Sequence, residues 1–242
     1  MKWWRCKNPF FRKITYSRET KTLFIYNFGC NWACLICTYR IKDPCSEEGC
    51  ERIPLEKILS IIKEYAENNR INQVKFLGGE PLINPDVPRI AKFARTLNLK
   101  VGIGHTNLSI MPPLEAESAV VSIKAINEEL HKIYTGGFSN KQVLHNFEKC
   151  YQRGILLKTN TVFVPEFVDK DEIGRIAEFI ASVDERIPFH IIGYIPIPEF
   201  PWRRPTRDEI LDAARIARKY LRNVTWSIPT LKTIKYSSIR VL

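Results

Sequence analysis

Three cysteines fall within eight residues in the segment Gly29-Cys30-Asn31-Trp32-Ala33-Cys34-Leu35-Ile36-Cys37, spaced C-x3-C-x2-C. Thiolates this close on one loop can converge on one metal centre. A structural zinc site calls for four ligands in two pairs, and an iron–sulfur electron carrier for four cysteines. Three thiolates on a four-iron cluster leave one iron without a protein ligand. Such an open position is where a metal does chemistry instead of holding a fold. Cys45 and Cys50 follow on the same loop, so a closed four-thiolate site is the rival: an electron carrier or a zinc-stabilised binding module. Cys6 and Cys150 read as small apolar residues. A second segment, Gly78-Gly79-Glu80-Pro81, pairs glycines that admit close backbone approach with a carboxylate.

Both segments sit at strand ends. Thr22–Tyr26 reads as a strand running into Phe28-Gly29, and Gln73–Leu77 as a strand stopped by Gly78-Gly79. Leu55, Ile58, Leu59 and Ile62 follow the first strand at helical spacing, with Pro54 in the first turn. Val87–Leu97, Lys141–Tyr151, Ile173–Ile180 and Ile210–Leu221 read as further helices. Lys100–Gly104, Ala119–Ile123, Ile155–Val164 and Phe189–Ile192 read as strands. Six strand–helix units in one sheet predict an α/β fold with parallel strands. The architecture is a partial (β/α)6 TIM-like barrel or a doubly wound sheet; in either, ligands gather at the strands' carboxyl ends.

The chain has 242 residues, apolar at 45%, enough for a core. No run of apolar residues is long enough to span a membrane, and the start lacks a signal-peptide apolar region. Seven cysteines in such a chain predict a reducing, cytoplasmic setting with free thiols. The charge is uneven: residues 1–22 carry net +6 and residues 201–242 net +7, around a nearly neutral body. Basic ends with Trp3, Trp4, Phe10, Phe11, Trp202 and Trp226 interleaved suit phosphate contacts with stacking, or simply a solvated surface.

C-x3-C-x2-C after the first strand, together with Gly-Gly-Glu-Pro after the second, resembles the radical S-adenosylmethionine (SAM) superfamily. His105-Thr106-Asn107-Leu108 resembles its D-T-N-G after strand three. Val120–Lys124, Asn127–Asn146 and Asn160–Pro165 resemble segments of the pyruvate formate-lyase (glycyl radical enzyme) activating enzymes. The resemblance implies a radical SAM core over 22–230, with a basic extension at 1–21 and a tail at 231–242. It implies that Cys30, Cys34 and Cys37 bind a [4Fe–4S] cluster. SAM is cleaved there to methionine and a 5′-deoxyadenosyl radical, which abstracts hydrogen from a target.

The resemblance also implies cofactor contacts. Backbone at Ile36 and Thr38 meets adenine. Gly78 and Gly79 carbonyls and the Glu80 carboxylate take the methionine ammonium. Asn107, Ser122, Lys124 and Asn160 contact SAM, with Lys124 on its carboxylate. The implied target is a glycine of a partner protein, and the electron comes from ferredoxin or flavodoxin. The alternative is a nucleic acid or a phosphorylated small molecule. The chain departs from the activating enzymes at Ser122 and His105, where they carry Asp, and at Leu108, where Gly is expected. His105 reads as a structural hydrogen-bonder, with a proton relay or phosphate ligand as the other reading.

Overall fold

A computed structural model describes residues 8–41, 51–230 and 238–242 of the chain. Among the described residues nine strands form one sheet: β1 (Phe10–Ser17), β2 (Thr22–Phe28), β3 (Gln73–Gly78), β4 (Lys100–Thr106), β5 (Ser118–Ser122), β6 (Leu156–Phe163), β7 (Phe189–Gly193), β8 (Val224–Ser227) and β9 (Ile239–Arg240). The helices are α1 (Leu55–Glu67), α2 (Val87–Thr96), α3 (Glu128–Thr135), α4 (Lys141–Gln152), α5 (Lys170–Asp184) and α6 (Arg207–Ala217). The sheet order is β8-β7-β6-β5-β4-β3-β2-β1-β9. From β2 to β8 every neighbouring pair is parallel and sequential. A doubly wound sheet reverses its strand order at a switch point. This one never does, so the doubly wound alternative is overturned and the open, partial barrel stands.

Four elements went unread in the sequence. The strand β1 pairs antiparallel with β2, and β9 adds to β1, so chain-terminal segments extend the sheet. The strand β8 follows the sixth unit, and α3 precedes α4. Pro54 caps α1 from one residue before its start.

Strand alternation divides the sheet into two faces. The outer face carries Leu23, Ile25, Val74, Phe76, Val101, Ile103, Val121, Phe189 and Ile191, all buried in one core with Ile58, Ile62, Ile90, Ile173 and Ile176 of the helices. The inner face carries Lys75, Gly102, Ser118, Val120, Lys158, Asn160, His190 and Thr225, which neighbour one another across the ladders. No described helix is long and apolar enough to cross a membrane.

Candidate active site

The loop after β2 carries all three predicted cysteines, and Cys37 caps a short 3-10 turn, Thr38–Arg40. Backbone and side chains from distant elements hold this loop. The amides of Ala33 and Leu35 donate to the carbonyls of Thr135 and Tyr134, at 3.0 and 2.9 Å. Those carbonyls are free because α3 ends there: Gly136 takes a left-handed φ of 82° and closes the helix. A β-carbon at Gly136 would lie 3.2 Å from that of Ala33, so this glycine also admits the loop. Behind the loop, Trp32 is buried and meets the His131 ring edge-on at 5.2 Å. Arg40 donates to the carbonyls of Cys34 (3.0 Å) and Ala33 (3.4 Å).

The Gly78-Gly79-Glu80 segment packs against the same loop. A β-carbon at Gly78 would sit 2.0 Å from the Asn27 carbonyl oxygen, and one at Gly79 2.1 Å from that of Gly29. The two glycines therefore exist to let two strand-end loops touch. Asn27, which the sequence did not single out, clamps them. Its amide donates to the carbonyls of Gly29 (3.2 Å) and Glu80 (3.0 Å), and its oxygen accepts from Asn84 at 2.9 Å.

Glu80 turns inward. Its carboxylate accepts from the Leu82 amide (3.1 Å), the Thr106 hydroxyl (2.8 Å) and the Asn107 amide (2.6 Å). It is 1% exposed, and burial pushes its pKa up to about 7 against the pull of those donors. Most of its acceptor capacity is thus spent inside the fold. Asn107 joins the next layer: its amide donates to Asn31 at 2.9 Å and approaches the Cys30 sulfur at 3.9 Å. Leu108 follows with φ of 56°, the left-handed conformation that a glycine adopts freely. It is fully buried, its amide donating to Thr106 at 2.8 Å and its carbonyl accepting from Asn146 at 2.9 Å.

Burial is the main cause that raises all three thiol pKa values, with Cys34 pushed up to about 12. Cys34 and Cys37 further raise Cys30 through like charge, so the three sulfurs share one electrostatic site. Lys124 opposes this at Cys34 and Cys37. Its ammonium donates to the Ser122 hydroxyl at 2.5 Å and lies 5.7 Å from the Tyr134 ring centroid. The ladder pairs Ser122 with Asn160, whose buried side-chain oxygen has no partner.

The remaining predicted positions divide. Ile36 is buried in the core, while Thr38 is exposed at the start of the 3-10 turn. The His105 side chain makes no hydrogen bond to another described residue. Burial first, then the Lys124 charge, lower its pKa to about 4, which leaves it neutral at neutral pH. Cys45 and Cys50, the candidates for a fourth thiolate, lie outside the described residues, as do Cys6, Trp3 and Trp4.

The sequence signature of the Radical SAM superfamily matches residues 24–180, from inside β2 to inside α5. The chain belongs to this superfamily. Radical SAM proteins are enzymes that use a [4Fe–4S] cluster and SAM. This radical SAM enzyme is 31% identical over 223 residues to a candidate glycyl-radical enzyme activating enzyme of Methanocaldococcus jannaschii, covering 89% of this chain and 84% of that one. It is 26% identical over 227 residues to the GTP 3′,8-cyclase of Clostridium perfringens, covering 89% of this chain and 66% of the cyclase.

Two solved structures share the radical SAM fold. SuiB of Streptococcus suis, bound to its precursor peptide SuiA, superposes with TM-score 0.60 at 16% identity over 82% of this chain. This chain spans only 46% of SuiB. A domain of pyruvate-formate lyase-activating enzyme from Bacteroides vulgatus gives TM-score 0.54 at 20% identity, over 64% of this chain and 98% of that domain.

Proposed function

We propose that Cys30, Cys34 and Cys37 hold a [4Fe–4S] cluster through three irons, and that SAM binds beside it along the carboxyl ends of β3 to β6. The observation that carries this reading is the meeting of the cysteine loop, the Gly78–Glu80 segment and the Ser122–Lys124 pair at the carboxyl ends of the sheet's parallel strands. The site suits the group. Three half-buried thiols, kept protonated by desolvation, lose their protons readily to metal cations. The orphan oxygen of Asn160 is an acceptor waiting for a ligand donor such as a ribose hydroxyl. When bound, the cluster supplies one electron that breaks a sulfonium carbon–sulfur bond of SAM, giving methionine and a 5′-deoxyadenosyl radical.

The chain's own residues then have separate tasks. Lys124 offers a point charge to the methionine carboxylate, steadied by Ser122. The Gly78 and Gly79 carbonyls take the ammonium. Glu80 holds Asn107 and Thr106, and through Asn107 the Cys30 loop. Ile36, Trp32 and Tyr134 keep water from the site.

For the target, we infer a glycine on a partner protein, reduction being supplied by a ferredoxin or flavodoxin. The support is the similarity to the Methanocaldococcus jannaschii protein over most of both chains. A second reading, radical modification of a phosphorylated small molecule, is favoured by Lys75 and Lys158 on the inner face of the sheet, which have no acidic partner among the described residues.

The test is anaerobic reconstitution with iron and sulfide, reduction with dithionite, and assay of 5′-deoxyadenosine formed from SAM. Product is expected from the native chain and none from Cys34→Ala. Replacement of Cys45 and Cys50 together should leave iron content unchanged. Loss of the metal in that variant would favour the electron-carrier or zinc-module alternative.

A further inference from the structure

We propose that the inner face of the sheet carries a phosphate-binding subsite for a small-molecule ligand, built on Lys75 and Lys158. The strands β3 and β6 that bear them are separated by β4 and β5, and both lysines stand on the inner face of the sheet, Lys75 beside Gly102 and Lys158 beside Val120. Gly102 leaves the surface beside Lys75 clear. A β-carbon there would meet Lys75 Cγ at 3.2 Å, its Cε at 3.3 Å and the Ser118 hydroxyl at 2.8 Å. The Lys75 stem therefore lies flat over Gly102, crossing β4 toward β5 and β6. After burial, the Lys158 charge is what lowers the Lys75 pKa, so the two cations feel each other.

Neither lysine has an acidic partner among the described residues. Two like charges brought together without a counterion are unfavourable, and a multiply charged anion relieves them. A lysine pair suits phosphate as a set of point charges.

A cavity of ≈ 360 Å³ opens beside Lys158, lined also by Val120, Asn160, Pro188, His190 and Thr225. That volume is at the scale of small-molecule sites. Its polar groups are prearranged: Thr225 and Ser227 engage the two ring nitrogens of His190 at 2.8 and 2.9 Å. At about 3.3 Å per residue, Lys75 lies roughly 10 Å from the Gly78 end of its strand. A ligand seated by its phosphate would thus reach back toward the cysteine loop. Only that last step rests on the proposed radical chemistry; the anion subsite does not.

Calorimetric titration of the reconstituted enzyme with pyrophosphate tests the subsite. Binding is expected, weakened about tenfold or more by Lys75→Ala and by Lys158→Ala. Lys158→Arg should keep most of it, and Lys57→Ala, on the exposed side of α1, all of it. Thermal melting checks that each variant folds. Unchanged affinity in both alanine variants, or no binding at millimolar pyrophosphate, would overturn the proposal. Succinate binding as tightly as pyrophosphate would replace phosphate with carboxylate as the ligand. Displacement by a short single-stranded oligonucleotide at equal phosphate concentration would give the site to nucleic acid and reject the small molecule. Pyrophosphate binding with no 5′-deoxyadenosine formed would sink the radical reading alone and leave the subsite standing.

Discussion

The side-chain amide of Asn27 reaches the carbonyl of Glu80 at 3.0 Å and so ties the end of β2 to the Gly-Gly-Glu-Pro segment after β3. The same amide holds the Gly29 carbonyl, next to Cys30. One buried carboxamide thus keeps the cysteine loop and the glycine segment in register, and both glycines exist to permit that contact.

Asn27→Ala is expected to destabilise the protein by about 2–4 kcal/mol, because two buried carbonyls lose their donor. Asn27→Asp should be worse, since a carboxylate would face those carbonyls with no proton to give. Urea unfolding of the three proteins checks the order; an aspartate variant as stable as native would exclude the clamp.

Glu80 gives stability a pH dependence of unusual sign for an acid. Its folded pKa is about 7, above its ordinary 4.5. The folded state therefore holds a proton that the unfolded state has lost between those values. Its contribution is present in full below pH 4.5 and fades as pH rises through 7, by about 3 kcal/mol at most. Denaturant unfolding of cluster-free protein at several pH values should show this fall, and Glu80→Gln should remove it. An identical slope in the glutamine variant would place the titration elsewhere.

Gly136 and Gly137 make a matched pair. Both have positive φ, but a β-carbon at Gly137 has nothing within 4 Å, whereas at Gly136 it meets Ala33. Each alanine variant should lose about 1–2 kcal/mol to backbone strain. Only Gly136→Ala should also reduce iron uptake on reconstitution, because it pushes the loop between Cys30 and Cys34. Equal iron content in the two variants would detach α3 from the cysteine site.

Leu108 inverts the usual ranking of alanine over glycine. Leu108→Ala should cost about 2–5 kcal/mol for the emptied core. Leu108→Gly empties it equally but relieves the left-handed strain, so it should be the more stable variant by about 1 kcal/mol. Thermal or urea unfolding of the pair decides it.

Much of the fold was legible in the chain because its signals are local. Alternation over Gln73–Leu77 and helical spacing from Leu55 to Ile62 are properties of a few neighbouring residues, and they place the cysteines and Gly-Gly-Glu-Pro at strand ends before any contact is known. Family membership follows from those two motifs and their positions. The strand β1 was hidden because basic and aromatic residues mask its alternation, and β9 because two residues carry no periodicity.

The choice of a partial barrel over a doubly wound sheet belonged to tertiary structure, since either topology uses the same strand–helix pattern. So did the inward turn of Glu80, the clamp by Asn27, the seating of the cysteine loop on the end of α3, and the left-handed Leu108. Lys75 and Lys158 are ordinary lysines in the sequence. Only the sequential parallel order of β3 to β6, with Gly102 bare between them, brings onto one surface two charges that have no acidic partner among the described residues. Periodicity reports which face a residue takes, but which distant residue it meets there depends on strand order and register.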